Sequence, residues 1–169
     1  MRYFESLHVG ETLVLDGGRV EIDDAADFAR RYDPDYVPPE NMGWIHRGPR
    51  ISPWQAAALS WKLLLDLAAA EPIADAAFSR PTGVEWLHEV SVGDRLRVEV
   101  ELVELLPPSP TMRDHGLARV RVALITTGPM GFAGWADDDQ ELVDDVALTY
   151  GAVLKARRRD AVSPYYGLS

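Results

Sequence analysis

The chain contains no cysteine. Disulfide staples, a thiolate nucleophile and cysteine-held metals are therefore excluded, and packing or oligomerisation must hold the fold. It also has no apolar run approaching the roughly 18 residues that a membrane-spanning helix needs. No early stretch combines a basic start, an apolar run and a small-residue cleavage site, so the expectation is a soluble, cytoplasmic protein. Positive charge is scarce: 17 Lys and Arg face 27 Asp and Glu, for a formal net charge of -10. Such a field repels phosphate backbones and anionic lipid, which disfavours nucleic-acid and membrane-surface partners. No internal repeat and no low-complexity tract is present, so solenoids and propellers drop out. No His, Asp or Glu spacing resembles a metal site, and neither metal nor cofactor is expected.

What remains is 169 residues, 47% hydrophobic and 26% charged, enough for one filled core and too few for two ordinary domains. The expected organisation is one domain over residues 1–157 and a tail over 158–169, with the basic cluster Lys155 to Arg159 read as solvated. A short strand pair is expected around Thr12 to Leu15 and Arg19 to Ile22. Asp23 or Asp24 then caps a helix running through Arg31, acidic at its start and basic at its end. Pro34, Pro38 and Pro39 end it. After a loop containing Gly43, Gly48 and Pro49, Ser52 as N-cap and Pro53 at the first helical position open the longest helical pattern. Trp54, Ala57, Ala58, Trp61, Leu64, Leu65 and Ala68 recur at spacings of three and four. Ala56, Leu59 and Leu63 make the other faces apolar too, so the helix is expected to be buried nearly all round.

From Gly83 onward the period changes to two. Leu96, Val98, Val100 and Leu102 share one face of a strand, with Arg95, Arg97, Glu99 and Glu101 on the other. Ala118, Val120, Val122 and Leu124 oppose Arg119 and Arg121 in the next strand, and Val146, Leu148, Tyr150, Ala152 and Leu154 mark a third. Glu99 and Glu101 are placed to pair with Arg119 and Arg121 across an antiparallel ladder. The expected class is α+β, with one long buried helix against a sheet of long antiparallel strands that is dry on one face and charged on the other.

Three segments carry a family likeness. Tyr3-Phe4-Glu5-Ser6-Leu7-His8-Val9-Gly10-Glu11 is similar to an opening Tyr-Phe-Glu-Asp-Leu-x-Val-Gly. Ser52-Pro53-Trp54-Gln55-Ala56-Ala57-Ala58-Leu59 is similar to a Ser-Gly-Trp-His-Thr-Ala-Ala-Leu helix start. Val84-Glu85-Trp86-Leu87-His88-Glu89-Val90-Ser91-Val92-Gly93-Asp94 is similar to a strand ending in Trp-Leu-Arg-Pro-Val-x-Pro-Gly-Asp. With the stretch Phe28 to Pro38, the chain resembles the MaoC-like dehydratases and (R)-specific enoyl-CoA hydratases of the hot-dog fold. The resemblance implies hydration or dehydration of acyl thioesters of coenzyme A or acyl carrier protein. It also implies a homodimer, or a heterodimer with a hot-dog paralogue, with sites near the subunit interface. In the family an Asp and a His five residues apart handle protons, and a helix N-terminus holds the thioester carbonyl.

The chain departs from that pattern twice. Asp33 matches the family's acid/base, but Pro38 stands at the His position and can neither move a proton nor donate a hydrogen bond. Pro53 replaces a glycine after the Ser, and one backbone donor goes with it. Asp33 is thus either the acid/base or the first residue of an Asp-Pro turn. His46 is a substitute proton carrier or an exposed loop histidine, and Glu40 a replacement base or a solvated loop carboxylate. Ser52 contacts a thioester or only caps the helix, and Gln55 holds a carbonyl or water or simply lies on the helix surface. Trp44, Trp54 and Trp61 wall an acyl pocket or pack in the core. His88 reads as a strand-edge histidine and His115 as a turn residue without a partner. Gly128 to Trp135 with Asp137 to Asp139 is a long insertion that covers a pocket, makes subunit contacts or forms an acidic hairpin tip. For an anionic carrier, Arg47, Arg50 and Arg80 are the nearest basic residues.

Three functions are compatible with these residues. One is a divergent lyase acting on an acyl thioester, with Asp33 and His46 or Glu40 moving protons. Another is a catalytically silent hot-dog subunit that binds ligand or pairs with an active paralogue. The third is thioester hydrolysis using Glu40 or Asp33 with Gln55.

Overall fold

The structure is a computed structural model and describes residues 1–34, 36, 50–107, 110–129 and 142–159. After a short 3-10 turn at Phe4–Ser6, the elements are β1 (Thr12–Arg19), α1 (Ile22–Tyr32), α2 (Pro53–Ala70), β2 (Ala77–Phe78), β3 (Thr82–Trp86), β4 (Arg95–Leu105), β5 (His115–Pro129) and β6 (Leu142–Arg157). The strands form one curled antiparallel sheet in the order β1-β4-β5-β6-β2, and β3 pairs with another stretch of β6.

Alternation in the strands translates directly into a dry face. Leu96, Val98, Val100 and Leu102 of β4 and Ala118, Val120, Val122 and Leu124 of β5 are all buried, as are Leu148, Tyr150, Ala152 and Leu154 of β6. Against them α2 lays Ala56, Leu63, Leu64 and Leu67. Each fully buried Leu or Val contributes roughly 1.5–3 kcal/mol relative to exposure, so this layer holds the domain together. Within it, the hydroxyl of Ser60 on α2 donates to the Tyr150 hydroxyl on β6 at 3.2 Å, pairing two polar groups that burial would otherwise leave unsatisfied. The same burial pushes the Tyr150 phenol up.

Several expectations shift by local geometry. The strand pair is one strand: Gly17 and Gly18 do not turn the chain but bend β1 where its register on β4 slips between Asp16 and Arg19, and Ile22 already begins α1. A Cβ at position 17 would lie 2.9 Å from Leu63 and 3.0 Å from the Leu96 carbonyl, so glycine lets β1 cross α2 closely. The cap of α1 is Glu21, with no side-chain cap bond, and Asp23 and Asp24 sit in the first turn at the helix's positive end. The helix continues one residue beyond Arg31.

α2 is not buried all round. Its buried stripe is Gln55, Ala56, Ser60, Leu63, Leu64 and Leu67, while Trp54 and Leu65 are 61% and 46% exposed. An outward face of Trp54, Ala58, Trp61 and Leu65 is thus apolar and only partly covered.

Two bulges account for the other differences. Between Leu102 and Glu104 the β4 register slips, bringing Glu104 rather than Val103 opposite Arg119, while Glu99, before the slip, lies opposite Ala123. Arg119 pairs with Glu104 at 3.5 Å, Arg121 pairs with Glu101 as expected, and Glu99 bonds Arg97 of its own strand. A second slip, at Leu124/Ile125 against β6, turns Val146 outward and Ala147 inward. Lys155 to Arg157 belong to β6 rather than to a tail, and Arg158 pairs with Glu5 at 3.3 Å. His115 opens β5 with its Nε2 3.9 Å from Asp75.

Near the N-terminus Arg2 grips Glu11 with two bonds, at 2.6 and 2.8 Å, and fixes the first residues to the start of β1. The Arg2 guanidinium holds the Glu11 carboxyl below the usual carboxylate range, against the opposing effect of partial burial. The unfolded chain therefore takes up this proton more readily. Glu11 contributes stability above the ordinary carboxylate pKa and loses it as pH falls through the depressed folded value. Glu11→Gln is expected to lower the urea midpoint at neutral pH and to flatten its decline toward acid. An unchanged acid slope in the variant would show that the pair is screened to insignificance.

Candidate functional site

The site gathers where α1 ends and α2 begins. Asp33 closes α1, its N–H bonded to the Ala29 carbonyl at 3.1 Å. Pro34 cannot supply the next helical N–H, so the chain turns, and the Tyr36 N–H donates to the Asp33 carbonyl at 3.0 Å. The Asp-Pro turn of the sequence is therefore real. It does not consume the side chain, whose Oδ2 accepts the Ser52 hydroxyl at 2.5 Å.

Ser52 is buried and does two things at once. Its Oγ accepts the Trp54 N–H at 3.2 Å, which makes it the N-cap of α2, while its proton goes to Asp33. Pro53 occupies the first helical position, where a missing N–H leaves no bond broken. Helix geometry leaves the first turn's N–H groups without intrahelical acceptors. Pro53 has none to offer and Trp54 has spent its own, so among the described residues the Gln55 N–H is the first-turn donor left open.

Gln55 is only 4% exposed, and among the described residues its Oε1 has no hydrogen-bond partner. A glutamine three residues after a capping serine can reach back to the cap's backbone N–H. Here that acceptor goes unused, which is costly for a buried polar atom and marks a place where a donor belongs. Its side chain leans toward the helix N-terminus, as helical side chains do, and so toward the Ser52 end.

Charged groups close the site on the side of the segment after β3. Arg50 pairs with Glu89 at 2.5 Å, and the backbones run together at Arg50 and Ser91 and at Ile51 and Val90. Arg50 is thus neutralised rather than free to attract an anion, and Arg80 is exposed. Tyr36, half-buried, sits in the field of this pair and of Asp33. Burial first, then the negative charges of Glu89 and Asp33, push its phenol up, and Arg50 opposes them.

The tryptophans divide. Trp54 and Trp86 meet edge to face at 5.1 Å and 77°, and the Trp86 indole donates to the Pro53 carbonyl at 2.9 Å, tying β3 to the start of α2. Trp86 and Leu87 are 40% and 51% exposed, so this is a rim and not a core. Trp61 packs partly against the core. His88 lies exposed beyond the end of β3.

The structure brings Asp33, Ser52, Trp54 and Gln55 to one end of α2. Glu40, Trp44, His46, Arg47 and Pro38 lie outside the described residues, as does most of the 128–140 insertion. Tyr36, Arg50 and Glu89 do not read as one site from the sequence. Tyr36 carries a usable signal, since an Asp-Pro turn brings its first and fourth residues together. The Arg50–Glu89 pair depends on a long-range backbone bridge that no local pattern announces. Among the described residues no group of three or more His, Asp or Glu is placed to hold a metal, and no helix is long and apolar enough to cross a membrane.

Comparison with known proteins places the fold. Neither a family profile nor a curated protein matches the chain. Among solved structures it is similar to a MaoC-like dehydratase from Rhodospirillum rubrum, with TM-score 0.66 and 21% identity over 94% of this chain and 99% of that one. An (R)-hydratase from A. caviae involved in PHA biosynthesis matches with TM-score 0.56 and 21% identity, over 89% and 97% of the two chains. A Mycobacterium tuberculosis protein with a double hot-dog fold matches with TM-score 0.60 and 18% identity, over 96% of this chain and 46% of that one. The chain has the hot-dog fold.

Proposed function

We propose that this protein is a hydro-lyase of the hydratase/dehydratase type acting on an acyl thioester carried by coenzyme A or an acyl carrier protein. The observation that carries the reading is the Asp33 carboxylate held 2.5 Å from the N-cap hydroxyl of α2. It joins a proton-accepting group to a helix N-terminus with an open backbone donor. The hydratase and dehydratase neighbours support the choice of chemistry.

In the hydration direction Asp33 takes a proton from water as the water oxygen bonds to the β-carbon of the enoyl group. The electron pair of the double bond moves toward the thioester oxygen, which the Gln55 N–H and the positive end of α2 stabilise. Asp33 then returns its proton to the α-carbon, so one carboxylate serves as base and then as acid. His46 and Glu40 are the candidates for a second proton carrier in place of the residue missing at Pro38, and Trp44 for a further wall of the acyl pocket. Incubation with crotonyl-CoA and a longer α,β-enoyl-CoA tests the reading. Loss of the conjugated enoyl absorbance without release of free thiol is expected. Thiol release would favour hydrolysis, and silence in both signals the reading of a silent subunit.

The same reading includes assembly as a dimer, of two copies or with a hot-dog paralogue. The apolar outward face of α2 adjoins Trp54, Trp86 and Leu87, and β3 pairs on one side with β6. Contiguous exposed apolar surface of this kind marks an interaction site. Sedimentation of the purified chain is expected to give a dimeric mass, and a stable, soluble monomer would contradict self-association.

A further inference from the structure

We propose that the side-chain amide of Gln55 selects acyl thioesters that carry a hydroxyl group on the acyl chain beyond the two reacting carbons. The inference rests on the thioester reading above and deepens it by naming the class of acyl group.

Gln55 sits in the first turn of α2, three residues after Ser52, and opens the buried stripe that continues through Ala56, Ser60, Leu63 and Leu64. Residues at this spacing are neighbours on a helix surface, so the side chain rises beside Ser52, whose hydroxyl binds Asp33 at 2.5 Å. Trp54, the residue before it, is 61% exposed and faces the other way. A primary amide carries an acceptor oxygen and two N–H donors. Among the described residues neither end of this one has a hydrogen-bond partner, and its oxygen is buried. Turning the amide over about its last bond does not repair this, since an unpaired N–H would then be buried in place of the oxygen. The other buried polar side chains of α2 are satisfied, Ser52 by Asp33 and Trp54 and Ser60 by Tyr150. The unmet group therefore lies at the end of the helix that bears the open N–H, where a buried polar atom without a partner is costly and a ligand group relieves the cost.

The chemistry of the amide selects the partner. An alkyl chain would leave both of its ends unpaired, a carboxylate could only accept and an ammonium could only donate. A carboxylate would also meet Asp33 and Glu89, with Arg50 already held by Glu89. A hydroxyl donates to Oε1 and accepts from an N–H, so one small neutral group answers both. With the thioester carbonyl on the Gln55 N–H and the reacting carbons at Asp33, the next few carbons of the chain pass the same turn of α2, within reach of the amide. No proton or electron pair passes through Gln55, so the balance of the reaction is that already given.

The test compares kcat/KM of the full chain for hydration of trans-2-hexenoyl-CoA and of its 4-, 5- and 6-hydroxy derivatives. At least one hydroxylated substrate is expected to exceed the plain one by about tenfold or more. Gln55→Leu keeps the backbone N–H and nearly the volume of the side chain. In it the preference is expected to vanish or reverse, and the melting temperature to hold or rise, because a buried unpaired polar group has been removed. Gln55→Met, unbranched like glutamine, repeats the measurement without the branch of leucine. Equal kcat/KM for all four substrates in wild type overturns the role of Gln55, makes a bridging water the partner of its amide and leaves the thioester reading intact. A preference that survives in both variants overturns it as well. So does a fall in melting temperature in both, which would show the amide to be held by the fold itself. Turnover of none of the four overturns the inference together with the thioester reading.

Discussion

Replacing Asp33 with asparagine is expected to lower the rate of the proposed enoyl-thioester hydration by at least about a hundredfold and to leave the melting temperature nearly unchanged. The rate follows from the chemistry: an amide cannot take a proton from water, and positioned general acid–base groups are worth on the order of 10²–10⁴ in rate. The stability follows from the geometry. The Asp33 carboxylate accepts the Ser52 hydroxyl, and the amide oxygen of asparagine can accept the same bond. The helix cap on Trp54 N–H uses a lone pair of the Ser52 oxygen and does not depend on the charge. Ser52→Ala is the contrasting case. It removes the N-cap of α2, with a cost of about 1 kcal/mol, and frees the Asp33 carboxylate at the same time. Loss of stability in Ser52→Ala and loss of rate in Asp33→Asn would assign capping to one residue and proton transfer to the other. A wild-type rate in Asp33→Asn would remove Asp33 from the reaction.

Gly116→Ala is expected to destabilise the fold by about 1–3 kcal/mol, although alanine is a modest change in most strands. Gly116 lies near the start of β5, and a Cβ there would lie 2.2 Å from two atoms of the Phe4 ring and 2.4 Å from a third. Those atoms include the root of the ring, so the clash cannot be relieved by moving a flexible tip. Phe4 belongs to the 3-10 turn whose neighbours are held by the Arg2–Glu11 pair and by the backbone bonds of Arg2 to Pro72 and Ala74. Either the ring leaves its place or the whole N-terminal segment lifts from the sheet. Urea denaturation checks the magnitude, and Phe4→Ala supplies the control. In the Phe4→Ala background the alanine at position 116 should be nearly neutral, giving a coupling energy well above the additive limit. Strict additivity would mean that the ring is not what excludes the side chain.

The two periodicities of the sequence suffice for the architecture because each reports a physical surface. Alternation from Leu96 to Leu102 in β4 and from Ala118 to Leu124 in β5 maps onto burial residue by residue. Ser52-Pro53 opens α2 as its cap chemistry requires. Expectation and structure part where one residue is added to a ladder. The slip after Leu102 reroutes Arg119 to Glu104, and the slip after Leu124 turns Val146 outward, because a bulge reverses the face of every residue beyond it and leaves little trace in composition. The inward face of α2 is hidden for another reason. Apolar residues surround the helix, so hydrophobicity alone gives no direction, and the side with Trp54 and Leu65 is the less covered one in the single chain. Asp33 and Ser52 are legible as members of a pattern, but their direct contact spans nineteen residues and only the fold brings it about. Tyr36, Glu89 and Gln55's unpaired oxygen become visible through burial and charge, which a sequence read element by element does not carry.

On the proposed reading an acyl thioester lies with its carbonyl at the N-terminus of α2 and its reacting carbons facing Asp33. A crystal structure with a saturated acyl-CoA checks this placement. The predicted result places the carbonyl oxygen within hydrogen-bond distance of the Gln55 N–H, with the Asp33 carboxylate beside the α- and β-carbons. Binding of the acyl group elsewhere, with the Asp33–Ser52 contact buried behind protein and away from the ligand, would contradict it.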